Sequence, residues 1–283
     1  MRDSGQPDGR VAVVGDIGGH ADELRRELGR LGADPRTGRL PDDLTVVQVG
    51  DLVHRGPDSE RVIALVDRYL REQPGQWVQL LGNHEAHYVR EPVFEWPQRL
   101  SRGSVDTLRR WWQTGQFRVA VSVVTDTETF VVTHAGVTAG FWRDVLGSTT
   151  DPRTAEAALN GLIGGNEAAL FLAGHMLSGK RKNHGAGPIW AAAATELVPS
   201  WVGEPMPFSQ IHGHSTLYDW HHRHFRASAT IARLADLDEE AKHETVALSG
   251  GRIVGVDPGH GQRPVRPWRA YELSGTVSAE SPY

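Results

Sequence analysis

The sequence predicts a layered α/β/β/α fold, because its two halves carry different strand patterns. In the first 85 residues, three short apolar runs each end in a polar residue, and amphipathic helical patterns follow the first two. The second half contains several further short apolar runs bounded by turn residues, as is typical of strands. Two stacked sheets covered by helices on both outer faces would accommodate both halves.

The N-terminal elements are predicted from the spacing of their apolar residues. Leu24, Leu28 and Leu31 recur at helical spacing, whereas the runs before them and after them are short and β-branched. The carboxyl ends of parallel strands meet at one edge of an open sheet, which is where ligands bind. The predicted elements are strand 10–14, helix 21–31, strand 44–49, helix 59–70 and strand 77–81.

The C-terminal half is predicted to be rich in strands, with two insertions beside the framework. Residues 91–116 and 148–207 are expected to form a helical cap or variable loops, and the whole chain, 1–283, is expected to be a single domain. The later strands are predicted at 117–124, 129–133, 209–211, 245–248, 253–256 and 268–273.

The composition restricts the possible functions. A net charge of −5 argues against a general nucleic-acid surface, because such surfaces concentrate Lys and Arg. The chain has no cysteine, which excludes disulfides, thiolate metal sites and a cysteine nucleophile. The polar N-terminus lacks the apolar core of a signal peptide, and no apolar run approaches membrane-spanning length. We therefore expect a cytoplasmic protein without a membrane partner.

Five polar residues at predicted loop positions suggest a metal centre. Carboxylate, imidazole and amide oxygen ligands suit cations that activate water, and two such ions need a shared carboxylate between them. Taken singly, each residue has an ordinary alternative, such as an Asp that caps a helix or an Asn in a turn. The five candidates are Asp16, Asp51, Asn83, His134 and His214.

Five motifs in order give the chain a family resemblance: GDIGGHADEL, GDLVHRGPDS, GNHE, THAG and HGHST. Together they closely resemble the calcineurin-like metallophosphoesterase superfamily, nearest the branch of the protein serine/threonine phosphatases and the symmetrical diadenosine tetraphosphate hydrolases. The resemblance covers about 11–214, and the later GRIVGVD run is similar to that branch's closing strand. The second and third motifs are the most specific, whereas THAG and HGHST support the match only in that order. The resemblance implies a layered metallophosphoesterase sandwich.

The resemblance also implies a role for each motif residue. Asp16 would bind a first metal, and Asp51 would bridge it to a second. Arg55 would hold the substrate phosphate, with Asn83 also contacting it. His84 would protonate the leaving oxygen, with Glu85 fixing its loop. The ligands implied for the second metal are Asn83, His134 and His214.

Two residues depart from the family pattern. The first motif normally reads Asp-x-His, but Gly18 stands at its histidine position, and His54 replaces the aspartate that normally precedes the phosphate-binding arginine. Purple acid phosphatases also have this glycine and take the missing ligand from a tyrosine three residues after the bridging aspartate, which is the position of His54. We therefore expect His54 to be the replacement ligand, with His20 as the rival candidate.

These expectations lead to a hypothesis about function. Water activated between two divalent ions, Mn²⁺ in preference to Fe or Zn, would attack phosphorus in line, without a covalent phosphoenzyme. A phosphoprotein, a dinucleotide polyphosphate and a small phosphomonoester all remain candidate substrates. The alternative is that the lost first-motif ligand marks a non-catalytic protein that binds a nucleotide or a phosphopeptide.

Overall fold

The structure is a computed structural model that describes residues 9–179, 182–261 and 266–278. Its strands are β1 (Arg10–Val14), β2 (Leu44–Gln48), β3 (Trp77–Leu80), β4 (Phe117–Arg118), β5 (Ala120–Thr125), β6 (Thr129–Thr133), β7 (Ser209–His212), β8 (Tyr218–Asp219), β9 (His224–Phe225), β10 (Ala235–Asp238), β11 (His243–Leu248), β12 (Gly251–Gly255) and β13 (Tyr271–Val277).

The helices surround these strands, and none in the described part of the chain is long and apolar enough to cross a membrane. They are α1 (Ala21–Arg30), α2 (Ser59–Glu72), α3 (Asn83–Val89), α4 (Arg102–Gln113), α5 (Ala139–Asp144), α6 (Pro152–Asn160), α7 (Glu167–Leu170), α8 (His175–Ser178), a π-helix (Ala193–Leu197), α9 (Val198–Trp201) and α10 (Ala229–Ala232).

Within the described residues, eleven strands form one continuous series in the order β10-β11-β12-β7-β6-β5-β13-β1-β2-β3-β4. β1 to β4 pair in parallel, as the strand–helix alternation predicts. The last strand, β13, joins the two halves because its first residues pair with β1 and its last residues pair with β5. Gly275 begins the pairing with β5, and a Cβ there would collide with the carbonyl oxygen of Val124.

The core has three layers. An apolar layer lies between the two halves of the sheet, and helices cover both outer faces with their own clusters. This arrangement confirms the predicted α/β/β/α fold. The layer between the sheets includes Val11, Val13, Val47 and Leu80 from the first half and Val121, Phe130, Ile211 and Val254 from the second.

The predicted elements differ from the observed ones mainly at their ends and in the C-terminal half. The last predicted strand, 268–273, begins instead at Tyr271 and continues through Gly275 to Val277, because pairing on both sides offsets the low strand preference of glycine. The strand predicted at 117–124 is interrupted at Val119. β8, β9 and β10 were not predicted, since their sequences are short and polar.

Candidate metal centre

The five predicted ligands converge at the carboxyl ends of the strands. Asp16 follows β1, Asp51 follows β2, Asn83 begins α3 just after β3, and His134 directly follows β6. His214 lies two residues beyond β7, and all five side chains are at most 7% exposed. The ligand atoms of Asp51, His134 and His214 all lie within 4.8 Å of one another.

The second predicted metal position is lined by lone pairs that face one another. His134 Nδ1 lies 2.9 Å from the carbonyl oxygen of Val49, which only accepts, so Nδ1 carries the ring proton. Burial lowers the pKa of His134, which leaves Nε2 unprotonated. That nitrogen lies 3.0 Å from Asn83 Oδ1 and 3.4 Å from Asp51 Oδ1, both of which are acceptors. A cation would satisfy all three atoms.

His214 completes this ligand set. Its Nδ1 lies 2.8 Å from the same Asn83 oxygen, and its Nε2 is buried without a hydrogen-bond partner in the described residues. Its backbone N–H donates to Asp16 Oδ1 at 2.9 Å, which links the two predicted metal positions. An orphaned imidazole nitrogen beside convergent oxygens is what a divalent cation requires. The residues present therefore fit the metal that the resemblance implies.

The first predicted metal position is strongly acidic. Burial, followed by the charges of Asp257 and Asp51, raises the pKa of Asp16. Asp257, also buried, accepts a hydrogen bond from the N–H of Gly259 at 2.8 Å. Three buried carboxylates in electrostatic contact repel one another, and a cation among them would remove that repulsion.

The loop that carries Asp51 has an unusual backbone held by buried hydrogen bonds. Asp51, His54 and Arg55 all have positive φ, a strained conformation for residues with side chains. Glu85 accepts hydrogen bonds from the N–H groups of Asp51 and Leu52, each at 2.8 Å. Glu85 is fully buried and holds the loop between β2 and α2 through these two hydrogen bonds.

His84 lies against the Asp51 carboxylate. Its backbone N–H donates to Asp51 Oδ1 at 3.0 Å, and its Nδ1 donates to the carbonyl oxygen of Val53 at 2.9 Å. Nε2 lies 3.4 Å from Asp51 Oδ2, so a proton on Nε2 would be directed at the carboxylate. Burial lowers the pKa of His84 to about 4, which makes the imidazole neutral in the metal-free protein.

Arg55 lies at the mouth of the site with an exposed side chain. Its Nη1 donates to the carbonyl oxygen of His260 at 2.9 Å. This contact holds the guanidinium near Asp16 and Asp257, and its positive charge offsets part of the rise that burial causes in the pKa of both carboxyls. The side chain is therefore anchored at one nitrogen and open to solvent elsewhere.

The structure places the His54 ring against Tyr88 and Trp96. Its Nε2 lies 2.6 Å from the hydroxyl of Tyr88, and its ring stacks on Trp96 with centroids 4.5 Å apart. Burial and the nearby His84 lower the pKa of His54 to about 3. Its Nδ1 is buried without a partner in the described ranges. The ligand role of His54 remains a prediction.

Two site residues were missed by the sequence reasoning, namely Asp257 and His260. Both follow β12 in the run GVDPGH, in which an apolar strand is followed by Asp, as it is after β1 and β2. That pattern was the available signal. A Cβ on Gly15 would collide with the carbonyl oxygen of Val256, so this loop packs directly against the first motif.

Comparison with known proteins connects this geometry to a family. A symmetrical bis(5'-nucleosyl)-tetraphosphatase of Photorhabdus laumondii subsp. laumondii is 30% identical over 134 residues, which cover 44% of this chain and 44% of the relative. A zinc-dependent endopolyphosphatase of Saccharomyces cerevisiae is 31% identical over 90 residues, which cover 30% of this chain and 25% of the relative. This chain thus spans less than half the length of either relative.

Two solved structures share the fold of this chain. A cold-active protein-tyrosine phosphatase of a psychrophilic Shewanella species superposes with a TM-score of 0.50 at 15% identity, covering 96% of this chain and 82% of that chain. A second structure of a cold-active protein tyrosine phosphatase gives a TM-score of 0.51 at 14% identity, covering 91% of this chain and 74% of that one. The sequence profile of the calcineurin-like phosphoesterases matches residues 9–238. The chain therefore belongs to the calcineurin-like phosphoesterase family.

Proposed function

We propose that this chain is a phosphoesterase that uses two divalent cations to hydrolyse a phosphomonoester or a phosphoanhydride. The observation that carries the proposal is the convergence of lone pairs from Asp51, Asn83 and His134 on one buried point, beside the orphaned Nε2 of His214. If these groups had only a structural role, each pair of facing polar atoms would share a hydrogen in a hydrogen bond.

The ligand set divides into two positions that share Asp51. Asn83, His134 and His214 would hold one cation, and Asp16 would hold the other. Oxygen and imidazole donors of this kind suit Mn²⁺, with Fe and Zn as alternatives. When bound, two such cations activate water and neutralise charge on the phosphate.

The remaining site residues bind the substrate and move a proton. Arg55, anchored at one nitrogen to the His260 carbonyl, would offer its other N–H groups to two phosphate oxygens. His84 must gain a second proton, on Nε2, before it can protonate a leaving oxygen. The carboxylate of Asp51 at 3.4 Å and a bound phosphate would both favour that proton by raising the pKa of His84.

Among the three candidate substrate classes, a dinucleotide polyphosphate has the most support. The relatives include a bis(5'-nucleosyl)-tetraphosphatase and a polyphosphatase, both of which are named for cleaving phosphoanhydrides. In addition, a cleft extends from Asn83 along α3 to Arg90, Phe171 and Trp190. The Arg90 guanidinium lies over the Phe171 ring at 4.1 Å, an arrangement that suits stacking of a nucleobase.

The direct test is turnover by the purified full chain with Mn²⁺, Fe²⁺ or Zn²⁺. Diadenosine tetraphosphate, a phosphoserine peptide and p-nitrophenyl phosphate represent the three substrate classes, and released phosphate or nucleotide is measured. We expect turnover of the aryl phosphate and the dinucleotide that disappears in EDTA. Absence of metal-dependent turnover on all three would contradict the proposal.

A second candidate function is a non-catalytic protein that binds a nucleotide or a phosphopeptide in the same pocket. The loss of the first-motif imidazole at Gly18 favours it, because one cation position then has fewer protein ligands. Metal analysis combined with the turnover assay separates the two functions. One bound metal without turnover would support the binding protein, whereas two bound metals with turnover would support the enzyme.

A further inference from the structure

The proposed general acid, His84, has almost no surface that a substrate could reach. It is 1% exposed, and His54 beside it is fully buried. A general acid acts only when it lies within hydrogen-bond distance of the leaving oxygen, at roughly 2.6–3.2 Å. In this conformation a water-sized group, and hence a leaving oxygen, has almost no access to the His84 ring. A neighbouring side chain must therefore move before His84 can act.

An indole from the predicted insertion 91–116 covers the two histidines. Trp96 lies on the irregular segment 91–99, between α3 and α4. Its ring stacks on His54 with centroids 4.5 Å apart and lies tilted against His84 with centroids 4.4 Å apart. Phe94, on the same segment, packs against the indole at 5.5 Å. Trp96 is thus the side chain through which this segment closes over His84.

The other neighbours of His84, namely Asp51 and His54, belong to the buried loop after β2. Glu85 accepts hydrogen bonds from this loop, and the His54 N–H donates to the Ser59 hydroxyl at 2.9 Å. Because these bonds are buried, breaking them would leave polar groups unpaired away from water. The loop after β2 is therefore the fixed side of the site.

The segment that carries Trp96 is held much more weakly. Its other residues are exposed, and within the described residues one hydrogen bond ties it to the rest of the chain, from Gln98 Nε2 to the carbonyl oxygen of Gly56 at 2.9 Å. The buried Nε1 of Trp96 has no partner among those residues, so the closed position leaves a polar group unsatisfied. Exposed segments with few hydrogen bonds are the ones that open most easily.

We propose that Trp96 controls access to His84, and that the leaving group of the substrate takes the place of the indole when the segment 91–99 opens. This rests on the proposed function, because it takes His84 as the acid. The Gln98 bond to Gly56 places the movement next to Arg55, which would hold the phosphate. Every substrate then binds a minor open form of the protein, and its apparent affinity is reduced by the population of that form.

The absence of cysteine allows a direct measurement of this opening. His84→Cys would place a single thiol beneath the indole, and its rate of reaction with a methanethiosulfonate reagent reports access to position 84. We expect slow labelling that becomes about tenfold faster when Trp96→Ala is added, a factor that corresponds to an opening cost of about 1.4 kcal/mol. Trp112→Ala, which changes another half-buried tryptophan of the same insertion, is the matched control and should leave the rate unchanged.

Two further measurements separate opening from unfolding. Labelling in urea gives the rate for an unprotected thiol, and thermal unfolding in the absence of reagent checks that each variant keeps its fold. Gln98→Ala, which removes the hydrogen bond to Gly56, should also accelerate labelling of the folded His84→Cys protein. Equal labelling rates with and without Trp96→Ala would overturn the proposal, as would labelling of folded His84→Cys as fast as in urea.

Turnover tests the same idea with His84 intact. Trp96→Ala should raise kcat/KM for p-nitrophenyl phosphate by about the same tenfold factor, without a change in bound metal, because the open form is then fully populated. Trp96→Phe keeps a ring over His84 and should remain near the wild type. An unchanged or lower kcat/KM in Trp96→Ala would contradict the proposal. A wild-type chain without metal-dependent turnover would overturn the proposed function instead, and the labelling rates would still show whether Trp96 controls access to position 84.

Discussion

Replacement of Asp51 by Asn tests the shared ligand with little disturbance of the fold. Asn has the same shape, so its Oδ1 can keep the hydrogen bond from the His84 N–H at 3.0 Å. Its Nδ2 would take the position of Oδ2, 3.4 Å from His84 Nε2, which accepts a hydrogen because Nδ1 already donates to Val53. Because the variant keeps these contacts, we expect the metal-free variant to fold as the wild type does.

With Mn²⁺ present, the wild type should be more stable than Asp51→Asn. A ligand present at 100 times its Kd stabilises a protein by about 2.7 kcal/mol for each site. Two cations that share Asp51 would together contribute about 5 kcal/mol, and each kcal/mol shifts Tm by about 2–4 °C in a chain of roughly this size. Wild-type Tm should thus rise by about 10–20 °C on adding Mn²⁺. Most of that rise should be absent in Asp51→Asn, because an amide bridges two cations poorly.

Differential scanning fluorimetry with EDTA or Mn²⁺, together with metal counting, measures both effects. Asp106→Asn, at an exposed position on α4, is the matched control and should keep the full metal-induced rise. If Asp51→Asn showed the same rise and the same metal content as the wild type, Asp51 would not bridge two ions and the dinuclear arrangement would be wrong.

Three further predictions follow from the contacts of single residues. His84→Ala should keep both metals but slow turnover by about 10²–10⁴, with the smallest loss for leaving groups of low pKa; equal losses for activated and unactivated esters, such as p-nitrophenyl phosphate and the phosphoserine peptide, would count against an acid role. Arg55→Lys should raise KM and leave the metal content unchanged, because the planar fork for two phosphate oxygens is lost; steady-state kinetics would detect it. Burial raises the pKa of Glu244 to about 8, above its ordinary value, so the stability associated with its protonated form is present at low pH and lost as the pH rises towards about 8. Glu244→Gln, measured by thermal unfolding in EDTA, should show a weaker decrease in Tm over that range than the wild type, and parallel curves would refute the assignment.

The polar ends of the N-terminal strands were predictable because local pattern and sheet geometry agree there. β1, β2 and β3 are parallel, so residues that follow them necessarily meet at one edge of the sheet. Asp16, Asp51 and Asn83 could therefore be grouped from the sequence alone. The two helices between these strands were predictable for the same reason, since their leucines and valines face one side.

Contacts between segments far apart in the chain were not predictable from the spacing of residues in the sequence. The partner of His54 is Tyr88, which lies 34 residues further along the chain on α3, and nothing in the second motif indicates it. The approach of His260 to Gly18 depends on how the loop after β12 packs against the first motif. Likewise, the division of β13 between two neighbours reflects the closure of the whole sandwich rather than the sequence of that strand.

The two departures from the family motifs lie within one hydrogen-bonded unit of the structure. The N–H groups of Ile17 and Gly18 both donate to the carbonyl oxygen of Asp51, at 3.0 and 2.8 Å, and the N–H of Gly56 donates to the carbonyl oxygen of Gly18 at 2.7 Å. A Cβ on Gly18 would also lie 3.6 Å from the carbonyl oxygen of His54. Substitution at position 18 would therefore act on the Asp51 loop through its backbone as well as on His260. His54 and Gly18 both shape the strained loop that presents the Asp51 carboxylate. The two positions are therefore structurally coupled, whether or not His54 binds a metal.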